Sequence, residues 1–322
     1  MKKVLLTGGA GMIGSNVIPS LIKKNYEICV VDNLWRGKVE NINNIKGFDI
    51  TNFTKLDLTN YEACKEITRE IDIVMHFADV VAGINYVFKN EFKLYQENIL
   101  INSNILKASI HNKVKKFMYL GTACSYPEKS QEKLMEVGLK EHEVFPANPE
   151  SSYGWSKLMG EYEILLANKY NLIETCILRL HNVYGFPCEL DENKSQVIPA
   201  LCKKVIENDE LIVWGSGKQK RAFVYIDDVI TGIMSALDKG FNKGVIQLGP
   251  EESISIEKIA KKISKFKNQN MKIIFDKSKQ EGDFDRFADI TLARKILNWE
   301  PKINIDIGLF KTFEWIKKKL KI

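Results

Sequence analysis

A tyrosine and a lysine stand four residues apart in the segment SSYGWSKLMGEYE, at Tyr153 and Lys157. On a helix, residues i and i+4 share one face, so the two side chains are expected to be neighbours. An ammonium group beside a phenol lowers the pKa of the phenol, because it stabilises the phenolate. A phenolate there can accept the proton of a substrate hydroxyl as a general base. Thr122, at the end of the apolar run before GTACSYP, is predicted to hydrogen-bond the same reacting oxygen.

Cys124 lies two residues after Thr122 and could carry further proton transfer. A free thiol has a pKa of about 8.5, so it needs help from its surroundings to ionise. The sequence leaves two interpretations open, namely a thiol that transfers a proton and a small side chain that lines a pocket. His181 and Lys194 are candidate partners for such a transfer, although His181 is also explained as a packed or hydrogen-bonding histidine.

A glycine-rich loop in VLLTGGAGMIGSNV contains Gly8, Gly11 and Gly14, between a predicted strand and a predicted helix. Glycines permit the tight turn and let backbone N–H groups approach a pyrophosphate at the helix N-terminus. Asp32 ends the next predicted strand, where a carboxylate accepts a hydrogen bond from the adenosine ribose and repels a 2′-phosphate. The pattern therefore predicts NAD rather than NADP. Asp57 is interpreted either as a contact to the adenine edge or as an ordinary surface acid.

Short apolar runs alternate with helical patterns through the first 180 residues. This alternation predicts an α/β fold, a doubly wound parallel sheet of the Rossmann type with helices on both faces. The pattern loosens after about residue 185, which indicates a smaller C-terminal α/β lobe. We predict an NAD-binding domain over 1–180 that also receives parts of 225–260, and a mainly substrate-binding lobe over 181–322. The predicted strands are 3–7, 27–31, 54–57, 72–77, 116–121 and 174–180, and the predicted helices are 14–24, 60–70, 91–112 and 152–170.

Composition excludes several other classes of protein. The 322 residues contain no apolar run of about 18 residues, so no membrane span is expected. The six cysteines have no metal-ligand spacing, no metal site is predicted, and a cytoplasmic location with reduced thiols is expected. The net charge of +6 is attributed to a lysine-rich surface rather than to nucleic-acid binding, since no basic stripe is interleaved with aromatic residues. Only six of the 47 basic residues are arginines, which suggests that each serves where a forked donor is needed.

Over nearly its whole length the chain resembles the extended short-chain dehydrogenases/reductases of the nucleotide-sugar epimerase/dehydratase group. The resemblance lies in TGGAGMIGS, HFAD, ENILINSNIL, YGWSK, RLHNVYG, WGSGKQKRAFVYIDDV and RFADITLARKILNWEP. It implies an NAD-dependent enzyme that acts on a nucleotide-linked sugar. It also implies a homodimer that pairs through helices 91–112 and 152–170.

The resemblance assigns roles to further residues of the chain. Asn98 would support Lys157 through a water molecule. Asn182, Arg221 and Arg286 would hold the diphosphate and the sugar, and a guanidinium suits that task because it donates bidentately. The alternative for the two arginines is a surface or structural role. The remaining predicted cofactor contacts are Met12, Ile13, Asn33, Arg36, Leu58, Phe77 and Ala78, and the remaining predicted substrate contacts are Gly83, His181 and Val197.

Within this group the segments GTACSYPE and RLHNVYG are most similar to GDP-mannose 3,5-epimerases, and KSQVIPAL to GDP-fucose synthases. In those proteins the cysteine is one of two acid/base groups, and the second is a His or Lys just ahead of IPA. Gln196 and Val197 occupy those positions here, and neither side chain can transfer a proton. A 4,6-dehydratase is disfavoured, since Ala123 and Cys124 follow Thr122 where that chemistry needs an acid.

The sequence thus predicts oxidation at C4 of a nucleotide-linked sugar, GDP-linked and manno-configured, by a 4-dehydrogenase or a single-centre epimerase. A GDP-sugar 3,5-epimerase that uses Cys124 as an acid/base group is the alternative. A third interpretation is a catalytically silent NAD-binding protein with a regulatory or RNA-binding role. The presence of Tyr153, Lys157, Thr122 and Asn98 together argues against this last interpretation.

Overall fold

The computed structural model describes residues 1–131, 136–192, 194–279 and 284–322. Its strands follow the apolar runs of the sequence closely. They are β1 (Lys3–Thr7), β2 (Glu27–Asp32), β3 (Phe53–Lys55), β4 (Ile73–His76), β5 (Lys116–Thr122), β6 (Glu174–Leu180), β7 (Asn182–Tyr184), β8 (Glu210–Trp214), β9 (Lys220–Arg221), β10 (Phe223–Tyr225), β11 (Val245–Leu248), β12 (Ile254–Ser255) and β13 (Lys272–Asp276).

The helices occupy the segments where the apolar residues repeat with helical spacing. They are α1 (Met12–Lys23), α2 (Tyr61–Ile67), α3 (Ile84–Lys89), α4 (Glu91–His111), α5 (Ser152–Lys169), α6 (Val197–Glu207), α7 (Ile226–Lys239), α8 (Ile256–Ser264) and α9 (Ile305–Leu320). Short 3-10 turns connect several of them, and a π-helical turn covers Ala293–Leu297. No helix in the described part of the chain is both long enough and apolar enough to cross a membrane.

The main sheet has seven parallel strands in the order β11-β6-β5-β4-β1-β2-β3. The strands are almost continuously buried, as expected where helices cover both faces. Helices α1 and α7 pack on one face, and α2, α4 and α5 pack on the other. The predicted doubly wound α/β fold is confirmed.

The chain reverses its direction of winding between β1 and β4, which are neighbours in the sheet. Because β1 leads outward to β2 and β4 leads outward to β5, the loops after β1 and β4 diverge and leave a crevice at the carboxyl ends of the strands. In open α/β sheets ligands bind at such a switch point. The fold therefore places the glycine loop that follows β1 at the edge of a ready-made crevice.

Three two-stranded sheets accompany the main sheet. Strand β7 pairs with β10 and β8 with β13, both in parallel, while β9 pairs with β12 in antiparallel. Helices α6, α8 and α9 pack against one another beside them. The edge strand of the main sheet, β11, also comes from the second half of the chain, so the two halves are interleaved rather than joined by one linker.

Candidate active site

A cavity of about 550 Å³ opens at the carboxyl ends of the main strands, between the glycine loop and the C-terminal elements. The loop after β4 approaches the segment before α6 closely, since a Cβ on Gly83 would lie 2.7 Å from the carbonyl oxygen of Ser195. Most of the residues predicted from the sequence line this one cavity. The predicted cofactor contacts among them are Gly8, Gly11, Met12, Ile13, Gly14, Asp32, Asn33, Arg36, Leu58, Phe77 and Ala78, and the residues at what we call the predicted substrate end are Gly83, Thr122, Cys124, Tyr153, His181, Asn182, Val197, Arg221 and Arg286.

The glycine loop leaves no room for side chains at two of its positions. Gly8 has a φ of +66°, and a Cβ there would lie 2.8 Å from the backbone nitrogen of Ala78. A Cβ on Gly14 would lie 2.5 Å from the carbonyl oxygen of Gly8. The loop therefore packs directly onto the start of α1, so that the unpaired N–H groups of the first helical turn face the cavity. That arrangement fits the pyrophosphate of a dinucleotide.

Asp32 ends β2 at the wall of the cavity and is buried. Its Oδ2 accepts a hydrogen bond from the backbone N–H of Ala10 at 3.1 Å, and its Oδ1 accepts one from Leu34 at 2.8 Å. Burial raises the pKa of this carboxyl, and the two backbone hydrogen bonds oppose the rise. A carboxylate has about four acceptor positions, so two remain for the hydroxyls of a ribose. The residues present therefore fit NAD.

Three of the residues predicted to contact or support the cofactor, Asp57, Asn98 and Lys157, are not among the described residues that line the cavity. Asp57 is exposed and its Oδ1 accepts hydrogen bonds from the backbone and hydroxyl of Thr59, both at 2.9 Å, so it is not among the described residues that line the cavity. The strand before it ends at Lys55, and the neighbouring Leu58 faces the cavity instead. The position of Asp57 agrees with the second interpretation, an ordinary surface acid.

Asn98 is fully buried on α4, and its side-chain amide is held by protein groups. Its Oδ1 accepts a hydrogen bond from the backbone N–H of Val80 at 2.7 Å, and its Nδ2 donates to the carbonyl oxygen of Val80 at 3.1 Å and to the hydroxyl of Ser156 at 3.3 Å. The amide of Asn98 thus fixes the loop after β4 and ties it to α5. Any support that Asn98 gives to Lys157 is therefore indirect. It comes through Val80 and Ser156, to which the amide is bonded.

Tyr153 and Lys157 share one face of α5, as the i, i+4 spacing predicts. Both meet the same atom of a third residue, because Oδ2 of Asp79 is 3.2 Å from the Tyr153 hydroxyl and 3.2 Å from Lys157 Nζ. Lys157 Nζ also lies 4.3 Å from the centre of the Tyr119 ring on β5. The ammonium is therefore buried between a carboxylate and the face of an aromatic ring.

The pKa of Tyr153 is raised well above its ordinary value, first by burial and then by the neighbouring Asp79 carboxylate. The sequence-based expectation was a pKa lowered by Lys157, and the direction in this arrangement is the opposite. Burial is the larger cause, and the positive charge of Lys157 is paired with Asp79. An additional negative charge on the phenol would face that carboxylate across a hydrogen bond.

Thr122 ends β5, and its hydroxyl oxygen accepts a hydrogen bond from the backbone N–H of Cys124 at 3.2 Å. The bond begins a 3-10 turn that holds the thiol at the cavity wall. Arg286 is buried beside it and donates from Nη1 to the carbonyl oxygen of Ala123, while its Nη2 lies 3.6 Å from Cys124 Sγ. The guanidinium of Arg286 therefore holds the turn that carries the thiol.

His181 lies at the substrate end with its imidazole tautomer determined by Gln247. The Nε2 of Gln247 donates to the carbonyl oxygens of Leu139 and Asp289, so its Oε1 is the acceptor that faces His181 Nε2 at 3.1 Å. His181 Nε2 therefore carries the proton, and burial lowers the pKa of this histidine to about 3. Its other ring nitrogen is buried, with no hydrogen-bond partner among the described residues. His181 is thus a neutral imidazole.

Lys194, the other candidate proton donor, is engaged elsewhere. Its Nζ donates to the carbonyl oxygen of Trp35 at 2.7 Å and lies 4.8 Å from the centre of the Trp35 ring. This lysine therefore attaches the segment before α6 to the loop after β2. Gln196 and Val197 line the cavity at the start of α6, where neither can exchange a proton.

A buried ion pair fixes α5 against the sheet. Arg179 on β6 binds Glu161 on α5 in a bidentate manner, with Nη2–Oε2 at 2.6 Å and Nε–Oε1 at 3.2 Å. The guanidinium also donates to the carbonyl oxygen of Glu141 at 2.9 Å and lies 4.8 Å from the centre of the Tyr126 ring. Glu161 is one helical turn beyond Lys157. The Arg179–Glu161 ion pair therefore fixes the distance between the strands and the face of α5 that carries Tyr153 and Lys157.

Sequence reasoning did not assign Asp79 or Tyr119 to the site. Asp79 ends the segment HFAD, and the acidic residue directly after a buried strand was the signal that could have identified it. Tyr119 lies inside an apolar strand run, where nothing in the sequence distinguishes it from a core residue. Its contact with Lys157 arises only when α5 packs across β5.

The model of the NAD dependent epimerase/dehydratase family matches residues 4–249 of the chain. The chain belongs to this family. The match spans the glycine loop, the Tyr153–Lys157 pair and the β11 edge strand. The predicted membership of the extended short-chain dehydrogenase/reductase group is confirmed, and so are the predictions of an enzyme and of NAD as its cofactor.

Relatives in the family carry several activities. GDP-mannose 3,5-epimerase of Arabidopsis thaliana is 29% identical over 320 residues, which cover 99% of this chain and 83% of the relative. A putative UDP-glucose 4-epimerase of Methanocaldococcus jannaschii is 30% identical, with 98% of each chain covered. Among solved structures, the UDP-glucuronic acid 4-epimerase of Bacillus cereus in complex with UDP-glucuronic acid and NAD has a TM-score of 0.85 and 29% identity, covering 98% of this chain and 99% of that one.

Proposed function

We propose that this epimerase/dehydratase family member oxidises C4 of a nucleotide-linked sugar, GDP-linked and manno-configured, as a 4-dehydrogenase or a single-centre epimerase. One observation carries the proposal. Tyr153, Thr122 and Cys124 line the same cavity as the glycine loop and Asp32, so a hydroxyl-bearing carbon and a nicotinamide can meet beside the phenol. The similarity to GDP-mannose 3,5-epimerase supports the choice of base and sugar.

In the proposed reaction the residues of the site have separate roles in proton transfer, hydrogen bonding and cofactor binding. The Tyr153 oxygen takes the proton of the C4 hydroxyl, and the Thr122 hydroxyl donates a hydrogen bond to the same sugar oxygen, since its own oxygen already accepts from Cys124. Bound NAD supplies the acceptor for the hydride that leaves C4. Lys157 holds the nicotinamide ribose, while the glycine loop and Asp32 hold the pyrophosphate and the adenosine ribose.

At the other end of the cavity Asn182, Arg221 and Arg286 are proposed to hold the diphosphate and the sugar. Gly83 and Val197, on the two segments that approach each other across the cavity, would close around the sugar. His181 would line the pocket as a neutral hydrogen-bonding group rather than as the missing second base, because its imidazole is already oriented by Gln247.

A GDP-sugar 3,5-epimerase is the second candidate, and the contact between Arg286 and Cys124 Sγ favours it. Oxidation at C4 acidifies the protons on C3 and C5, and a thiolate at Cys124 could then remove one of them. The reaction also needs a group that returns the proton from the opposite face. Lys194 and Gln196 do not supply one, as described above, and this weighs against epimerisation at both centres.

The experiment that separates these functions is incubation with GDP-mannose or GDP-manno-heptose and NAD in D2O, followed by nicotinamide absorbance and proton NMR. Rising absorbance without deuterium in the sugar indicates a C4 dehydrogenase, and inversion at C4 without deuterium indicates a C4 epimerase. Deuterium at C3 or C5 that disappears in Cys124→Ser indicates the 3,5-epimerase. Turnover of UDP-linked sugars alone would refute the choice of base, and NAD binding without turnover of any sugar would support the silent protein.

Tyr153→Phe is the matched test of the base. Removing a general base costs about 10²- to 10⁴-fold in rate, while the aromatic ring and the binding of NAD are retained. Full turnover by this variant would refute the assignment.

We also propose a cytoplasmic homodimer that pairs through α4 and α5. These helices lie side by side on one face of the sheet. They expose large apolar side chains, with Phe92 77% exposed and Leu100 48% exposed on α4 and Tyr162 51% exposed on α5. A paired copy of the same two helices would cover them. A cytoplasmic location agrees with the six cysteines, all of which are free thiols in the structure.

A further inference from the structure

The side chain of Arg36 crosses the crevice from one side of β1 to the other. Arg36 belongs to the loop after β2, and its Nη1 donates to the carbonyl oxygen of Val81, in the loop after β4, at 3.2 Å. Because β1 lies between β2 and β4 in the main sheet, those two strands are about 10 Å apart, which is two strand spacings. The hydrogen bond therefore passes over the carboxyl end of β1, where the glycine loop begins. Arg36 and the glycine loop line the same cavity.

The backbone around Arg36 is held against the glycine loop. A Cβ on Gly37 would lie 2.8 Å from Oδ2 of Asp32 and 2.9 Å from the carbonyl carbon of Ala10. The backbone N–H of Lys38 donates to the carbonyl oxygen of Ala10 at 3.2 Å. The loop after β2 is therefore fastened to the glycine loop, and the guanidinium is pre-organised beside it.

The carboxylates near Arg36 are paired with other cations. Asp79 pairs with Lys157 at 3.2 Å, and Glu189 pairs with Lys38 at 3.4 Å. Among the described residues Arg36 has no carboxylate within ion-pair distance, and its one hydrogen bond uses one of the five N–H donors of an arginine. Burial lowers the pKa of this guanidinium, and the more distant Asp79 and Glu189 oppose the fall. The cavity wall thus carries a desolvated cation with donors left for an anionic group.

The first turn of α1 supplies only part of the positive charge that a pyrophosphate needs. Its residues, from Met12 to Asn16, have no charged side chain. A helix N-terminus is equivalent to about half of one positive charge, whereas each phosphate of NAD is ionised at neutral pH. A guanidinium is suited to supply the remainder, because it donates to phosphate oxygens in a bidentate manner.

We propose that Arg36 binds the pyrophosphate of NAD and that this group is held between Arg36 and the first turn of α1. The glycine loop brings α1 to the crevice from β1, and the loop after β2 brings the cation. The sequence predicts a cofactor contact for Arg36, and the bond across the crevice identifies the part of the cofactor that it meets. This inference adds a residue to the proposed cofactor site, and it depends on NAD but on no sugar substrate.

Arg36→Met removes the charge and keeps an unbranched side chain. Isothermal titration calorimetry of the full-length chain compares ADP-ribose, which contains the pyrophosphate, with adenosine, which does not. Displacement by NAD shows that both ligands occupy the cofactor site. The dissociation constants of ADP-ribose and NAD should rise by about tenfold or more, because a charge-assisted hydrogen bond is lost, and that of adenosine should not change. An unchanged affinity for ADP-ribose, or an equal loss for adenosine, would overturn the proposal.

Two further variants make the comparison specific. Arg36→Lys keeps the charge without the forked donor, so it should bind ADP-ribose more tightly than Arg36→Met does and less tightly than the wild type. No difference between Arg36→Lys and Arg36→Met would contradict a role for the charge. The matched control is Arg69→Met, since Arg69 is 64% exposed after α2 and pairs with Glu66, and its affinity for ADP-ribose should equal that of the wild type.

Two other results would assign Arg36 to a different phosphate and refute the proposal. Weaker binding of NADP with unchanged binding of ADP-ribose would indicate a contact to a 2′-phosphate. Weaker binding of GDP-mannose with unchanged binding of ADP-ribose would place Arg36 in the nucleotide-sugar site. Selective loss of ADP-ribose binding in a protein that turns over no sugar nucleotide would support this inference and refute only the proposed function.

Discussion

At the scale of single residues, ionisation in this site is decided by which charges meet in a space that water hardly reaches. The i, i+4 spacing of Tyr153 and Lys157 is necessary for the site, but it does not determine the state of the phenol. Burial raises the pKa of Tyr153, and the third group, Asp79, which takes the ammonium as its partner, raises it further. A pair that favours a phenolate by itself favours a phenol in the presence of a buried carboxylate.

Asp32→Asn should weaken the binding of NAD by about tenfold or more, while the binding of NADP should change little or improve. The carboxylate loses its charge-assisted bonds to the ribose, which are worth about 1.5–3 kcal/mol, and it no longer repels a 2′-phosphate. The two dissociation constants can be measured by isothermal titration calorimetry. An unchanged preference for NAD would contradict the role of Asp32.

Asp57→Asn is the comparison variant for this measurement. Its carboxylate is exposed and bonds to Thr59, so NAD should bind as it does to the wild type. A loss of NAD affinity comparable to that of Asp32→Asn would show that Asp57 contacts the cofactor, and it would contradict the position of Asp57 described above.

At the scale of elements, side chains of α5 face three different surroundings, namely the cavity, the sheet and the solvent. Tyr153 faces the cavity, Glu161 binds Arg179 on β6, and Tyr162 faces solvent. Breaking the buried Arg179–Glu161 pair from one side would leave an uncompensated charge, which typically costs about 3–5 kcal/mol. The face of α5 that carries Tyr153 and Lys157 is thus held by an ion pair whose members are not among the described residues that line the cavity.

The exposed apolar side chains of α4 and α5 give the dimer proposal a direct test. Leu100→Glu should convert the dimer to a monomer, because a charge would be buried in the paired helices without a partner. Size-exclusion chromatography with light scattering measures the mass. Ile307→Glu on α9, where the wild-type side chain is 53% exposed, is the matched control and should remain dimeric. A monomeric wild type would refute the proposal.

At the scale of the whole molecule, two buried histidines link folding to pH. Burial lowers the pKa of His76 to about 4 and that of His181 to about 3, while an unfolded chain protonates histidine near 6.5. Between these values the unfolded state binds more protons than the folded state. The stability is therefore complete above about pH 6.5 and falls as the pH decreases, by up to about 1.4 kcal/mol per pH unit for each histidine.

Urea unfolding between pH 7 and pH 5 should show this fall in the free energy of unfolding. His76→Asn should be less stable at pH 7, because it disturbs the bonds to Thr7 and Asn102, but its stability should depend less on pH than that of the wild type. His142→Asn, at an exposed site, should keep the wild-type dependence. The same slope in His76→Asn and the wild type would contradict the assignment.

The sequence by itself determined the α/β fold, the glycine-rich loop after β1 and the membership of the family, because each depends on local patterns. Alternating apolar runs dictate the strands and helices, and the glycines with Asp32 must stand at the ends of β1 and β2 wherever those strands lie. The proximity of Tyr153 and Lys157 was also determined by the sequence, because residues four positions apart on a helix lie on the same face. The limits of this reasoning appear at Asp57, where the strand ends two residues earlier than predicted.

Only the tertiary structure decided what surrounds those residues. Asp79 and Lys157 are 78 residues apart in the chain, and their contact exists because the loop after β4 and helix α5 meet above the sheet. The tautomer of His181 depends likewise on Gln247 and on two carbonyl groups from distant segments. Burial and long-range pairing determine the ionisation of a site, and neither is encoded in the local spacing of residues.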